Sequence, residues 1–108
     1  MNLIVMRKVL MAGVAAGGLL SAGAAFADEE LFKKSNCMAC HAIDSKRLGP
    51  SMKEVAVKYT GDVTAAETLA KKIRAGGGGV WGEMAMPPQA QVSEADAKVL
   101  ADFILAVK

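Results

Sequence analysis

The sequence predicts an all-α domain, and three observations carry that prediction. Apolar residues recur at three- and four-residue intervals in separate stretches of the chain. Strong breakers separate those stretches: Gly61, the run Gly76 to Gly79, and Pro87-Pro88. No stretch after residue 27 shows the sustained apolar/polar alternation of a half-buried strand.

The chain has 108 residues and suffices for one small domain. Its first 27 residues differ from the rest. Arg7 and Lys8 precede an apolar, acid-free run from Val9 to Leu20, and Ala25-Phe26-Ala27 follows. That order is the pattern of a secretory signal peptide, expected to be cleaved after Ala27. The run is short for a membrane span, so no membrane insertion is expected once it is removed. Residues 28–108 would then form the mature domain in an oxidising compartment, the periplasm. Arg7 and Lys8 are the only cations before residue 28, and all 11 acids lie beyond it, so 11 cations face 11 acids in the mature part. Such a neutral balance gives no electrostatic footprint for nucleic acid.

Each element follows from its residues. Asp28-Glu29-Glu30 suits a helix N-terminus, and Lys33-Lys34 its C-terminal end. A helix is expected over 29–36, with Phe32 packed on the last helix. Met52, Val55, Ala56 and Tyr59 share one helical face, which Gly61 ends. Thr64 and Glu67 read as a capping box for the next helix, whose inner stripe is Ala66, Leu69 and Ile73. Ser93 reads as the N-cap of the last helix, with Val99, Leu100, Phe103, Ile104 and Val107 as its buried stripe.

The chemistry sits between the first two helices. Cys37-Met38-Ala39-Cys40-His41 contains both cysteines and the single histidine. C-x-x-C-H is the signature of covalent c-type haem attachment. Two thiols at this spacing add to the two vinyl groups of one porphyrin, and the adjacent imidazole lies where it can ligate iron. A disulfide loop is the competing reading in an oxidising space. Zinc is a poor one, because two Cys and one His leave it a ligand short. A bonded macrocycle also supplies core that 81 residues otherwise lack.

A second iron ligand is then sought downstream. The mature part has four methionines. Met38 lies inside the attachment loop, and Met52 follows closely on the histidine segment. Met84 and Met86 remain as thioether candidates, in Trp81-Gly82-Glu83-Met84-Ala85-Met86-Pro87-Pro88. The paired prolines stiffen the chain directly after Met86 and favour it over Met84.

These stretches together resemble the small monohaem class I cytochromes c of bacteria, of the c-551/c-552 type. The matching residues are Leu31-Phe32, Cys37 to Asp44, Gly49-Pro50, Gly79 to Gly82 and Met86-Pro87-Pro88. The resemblance implies four or so helices around one covalent haem c, with the N- and C-terminal helices crossing. It implies Cys37 and Cys40 as thioether sites, and His41 and Met86 as axial iron ligands. The Pro50 carbonyl would accept from His41, and the Trp81 indole N–H would bond a propionate. Gln89 stands where the family often has an asparagine that bonds the methionine sulfur, and Glu83-Met84-Ala85 replaces a commonly proline-richer run. The implied function is one-electron transfer without catalysis, by a monomer. It would work between a bc1-type complex or other quinol-linked donor and a nitrite reductase or terminal oxidase.

Overall fold

The computed structural model describes residues 28–108, so the expected signal segment 1–27 lies outside the described residues. The described chain is helical, as expected. Helix α1 covers 28–34, α2 runs Met52–Lys58, α3 Ala65–Ala75 and α4 Glu94–Leu105, with a single 3-10 turn at Cys37–Ala39. Among the described residues the only β-pairing is one isolated antiparallel bridge, Gly77 with Met86.

Helix α1 stops where Asn36 adopts a left-handed backbone, φ 65°. Asparagine tolerates that conformation better than most residues. The turn aims the chain into Cys37. Phe32 is the anchor of α1, 1% exposed. Its ring meets Phe103 of α4 with centroids 5.5 Å apart, tilted by 42°. Burying such a ring contributes about 1.5–3 kcal/mol, and here it joins the two ends of the domain as the sequence predicts.

Helix α2 is capped by Ser51, whose Oγ accepts from the Glu54 amide at 3.1 Å. Its next free donors are also satisfied: the amides of Met52 and Lys53 donate to the carbonyls of Ala42 and Ile43 at 3.0 and 2.9 Å. Those two bonds bind α2 to the chain directly after His41. Met52, Val55 and Ala56 face the core.

Helices α2 and α3 both pack on α4. The core is built from Phe32, Met52, Val55, Leu69, Ile73, Val92, Ala97, Leu100, Ala101 and Ile104. Two sequence expectations need correction here. The first is the cap of α3. Thr64 makes no side-chain cap bond; its amide and hydroxyl both donate to Asp62 Oδ1, at 2.9 and 2.7 Å. An aspartate two residues upstream outcompetes the capping box, because one carboxylate oxygen accepts from both groups. The second is the buried stripe of α4. Leu100 and Ile104 are buried as expected, but Val99 is exposed and Val107 only partly covered. Ala97 and Ala101, fully buried, take the central positions. Small side chains there let the other helices approach closely, which places the stripe a few positions from where its largest residues lie. The cap of α4 is as predicted, Ser93 Oγ accepting from the Asp96 amide at 3.1 Å.

Candidate functional site

The 3-10 turn is short-range in origin. The amides of Cys40 and His41 both donate to the Cys37 carbonyl, at 3.3 and 3.0 Å. Both thiols are half-buried and are not joined to each other. Burial pushes the Cys37 thiol above its usual range. Among the described residues, no three His, Cys, Asp or Glu side chains converge as a metal cage would require.

His41 is held by its ring. Its Nδ1 lies 2.8 Å from the Pro50 carbonyl. A carbonyl can only accept, so Nδ1 carries the proton and donates. The neutral ring then has its lone pair on Nε2, free for a metal. The Pro50 carbonyl is thus the partner of the ring. The sequence reading missed its neighbour. Gly49 lies flat against the imidazole, and a Cβ there would come within 2.7 Å of Nδ1. Its amide donates to the Cys40 carbonyl at 2.9 Å, closing the loop back onto the motif. Nothing local in the sequence revealed the ring beside it. Arg47 adds a further clasp, donating from its guanidinium to the Met38 carbonyl at 3.0 Å.

Met86 is held by its backbone. Its amide and carbonyl each pair with Gly77, both at 2.9 Å. Residues 78–85 therefore form a closed loop. Gly76, with φ 68°, lies against the following prolines, and a Cβ there would come within 2.7 Å of the Pro88 nitrogen. Gly76 and Gly77, the first half of the glycine run, thus lie directly against the Met86–Pro88 backbone. Met86 is half-buried, whereas Met84 is 67% exposed. Gln89 Nε2 donates to the Pro87 carbonyl at 3.0 Å.

Trp81 is exposed on the same loop, beside Val80. The Lys58 ammonium lies 5.4 Å from its ring centroid, a cation–π contact that ties the loop to α2. An open groove of about 660 Å³ runs beside it, lined by Lys53, Glu54, Val57, Lys58, Trp81, Val107 and Lys108. The groove holds none of Cys37, Cys40, His41 or Met86.

The residues present fit a haem. Two thiols lie one turn apart, a neutral imidazole offers a bare Nε2, and a thioether stands on a tethered loop. Leu48, Val80, Trp81 and Met84 leave apolar surface uncovered on the two segments concerned, which an apolar macrocycle suits.

Residues 29–108 match the cytochrome c family. The chain belongs to that family. It is 50% identical over 103 residues to cytochrome c-552 of Nitrosomonas europaea, covering 95% of this chain and 100% of that protein. Cytochrome c-551 of Azotobacter vinelandii is 58% identical over 80 residues, covering 74% of this chain and 96% of that one. The crystal structure of wild-type Nitrosomonas europaea cytochrome c552 superposes with a TM-score of 0.72 at 51% identity, over 74% of this chain and 99% of that one. The fold is that of the small class I cytochromes c. As a cytochrome c, the chain carries one covalent haem c and its iron, and it is a small electron carrier that works with redox partners.

Proposed function

We propose a periplasmic one-electron carrier in which Cys37 and Cys40 form the thioether links and His41 and Met86 are the two axial ligands. The observation that carries this reading is the 2.8 Å bond from His41 Nδ1 to the Pro50 carbonyl. It commits one ring nitrogen to the protein and presents the other as a donor of fixed direction. The preference for Met86 over Met84 rests on the Gly77 bridge and on its partial burial. When bound, the haem supplies an iron that takes up and releases one electron. A His/Met pair occupies both axial positions, so no open site remains for a substrate, and the thioether favours the reduced state. Trp81, on the loop that carries Met86, is assigned to a propionate by family likeness.

Residues 1–27 are assigned as a cleaved export signal, so the purified protein should begin at Asp28 by intact mass. Donor and acceptor would dock transiently at the haem edge through a small interface, as redox pairs do. A quinol-linked complex of the bc1 type fits as donor, and a nitrite reductase or terminal oxidase as acceptor.

Optical spectra of the oxidised and reduced protein test the ligands. A far-red sulfur-to-iron band in the oxidised form, with slow carbon monoxide binding to the reduced form, is expected. Met86→Ala should abolish the band and lower the potential, while Met84→Ala should retain both. The reverse pattern would assign the ligand to Met84.

A further inference from the structure

The foot of loop 78–85 is the Gly77–Met86 bridge. Its tip is a second, smaller closure. The Gly79 amide donates to the Gly82 carbonyl at 3.1 Å and turns the chain through Val80 and Trp81. Gly79 and Gly82 have φ 94° and 119°, and a Cβ placed at either would meet nothing within 4 Å. Glycine is needed there for the left-handed backbone and not for space. The tip therefore projects from the body, with Val80 and Trp81 exposed. It is tied back through Trp81, because the Lys58 ammonium lies over the indole, 5.4 Å from the ring centroid. Lys58 is the last residue of α2. The first residues of that helix, Met52 and Lys53, bond the carbonyls of Ala42 and Ile43 directly after His41. Among the described residues Lys58 joins none of the ion pairs, so no carboxylate draws its ammonium off the ring.

We propose that Lys58 is a positioning residue for Trp81, holding the indole so that its N–H stays aimed at the haem propionate. The inference rests on the assignment of Trp81 to that propionate. An indole has one polar atom, Nε1–H, at the edge of the ring. A cation over the face fixes the plane of the ring and leaves that edge to bond elsewhere. Neither Gly79 nor Gly82 has a side chain to brace the indole, so without the cation the donor would swing with the ring. Helix α2 thus acts as a strut. It starts on the histidine segment and ends on the propionate donor.

The single tryptophan gives one indole N–H resonance, and hydrogen exchange at that proton tests the proposal in the haem-loaded mature protein. Lys58→Met keeps most of the apolar stem and loses the cation. It should speed the exchange about two- to fivefold, the range an exposed cation–π contact supports. Loss of a nearby positive charge by itself would slow hydroxide-catalysed exchange, which is the opposite sign. Lys58→Arg should restore the wild-type rate, because a guanidinium also stacks on an aromatic face. A role confined to the packing of α2 would not separate these two variants. Exchange in Lys58→Met no faster than in wild type, or exchange in Lys58→Arg as fast as in Lys58→Met, would overturn the proposal. Trp81→Phe tests the assignment beneath it, since the ring stays and the donor is lost. The pH dependence of the reduction potential should then shift, because the propionate loses a bond to its charged form. An unchanged profile would remove the propionate assignment and with it this role of Lys58. A shifted profile with unaltered exchange in Lys58→Met would remove Lys58 alone.

Discussion

His41 and Met86 are each held by the protein, but at different atoms. At His41 the side chain itself is pinned, Nδ1 to the Pro50 carbonyl, with Gly49 against the ring and the loop closed by a bond from Gly49 to Cys40. At Met86 only backbone is pinned, by two bonds to Gly77. The difference follows from the donors. An imidazole has a second nitrogen that can be hydrogen-bonded while the first binds metal. A thioether has one soft atom and no second polar atom to be held by, so the Met86 segment is stiffened through its backbone, by the prolines and the Gly77 bridge. The histidine segment is also short-range, its partners lying within about a dozen residues. The methionine loop is instead tied to α3, by the Gln89 amide on the Ile73 carbonyl. Disturbance of the packed helices should therefore reach the methionine before the histidine.

Phe32→Ala is the harshest way to test that order. Phe32 joins α1 to α4, and truncating such a ring typically costs about 3–5 kcal/mol. Chemical denaturation of the haem-loaded protein should show a loss of that size. The far-red band should fade at lower denaturant than the helical signal; simultaneous loss would mean that the two segments are held equally firmly.

Paired glycine variants come next. Gly49→Ala drives a methyl into the His41 ring, and Gly76→Ala drives one into the Met86–Pro88 backbone from a position with φ 68°. Each is expected to cost about 1–3 kcal/mol by overpacking. Their spectroscopic effects should separate. Gly49→Ala should impair haem incorporation and the histidine bond, whereas Gly76→Ala should weaken the sulfur band and leave haem attachment intact.

Arg74→Ala should have a smaller effect. Its Nε donates to the Val92 carbonyl at 3.1 Å and its NH1 meets Glu94 Oε1 at 3.3 Å, both partners lying just beyond the methionine loop. The pair is largely exposed, so a loss below about 1 kcal/mol is expected. It should appear in the displacement rate of the thioether before it appears in global stability.

The smallest effect is a control at Asp62, which bonds Thr64 and neither His41 nor Met86. Bonds from Thr64 hold the Asp62 carboxyl below its ordinary range. A depressed folded-state value means the contribution is present above the ordinary carboxylate range and is lost as pH falls through the depressed one. Asp62→Asn should therefore lower the denaturation midpoint at neutral pH and match wild type in acid, with no change in the sulfur band at either pH.

Much of this molecule was legible in the sequence, because the signals are local. C-x-x-C-H is covalent chemistry at adjacent positions, and Ser93 caps the last helix through a residue three along. The glycine run and the proline pair mark breaks wherever they fall. Phe32 was assignable to the last helix because α1 has few other large apolar residues to bury. Where the reading failed, two local options competed or two helices had to meet. Thr64 gave up its cap to Asp62 for want of a rule ranking two nearby acceptors. Val99 yielded the core to Ala97 and Ala101, because how closely helices approach is not encoded in the hydropathy of one of them. Gly49 against the imidazole, Gly77 paired with Met86, and the turn of Gln89 toward Pro87 were decided by tertiary structure alone. Each depends on where one backbone passes another, and a linear pattern of residue types carries no record of that distance. The sequence therefore determined which side chains are candidates to bind iron; the packed chain decided how firmly each of them is held.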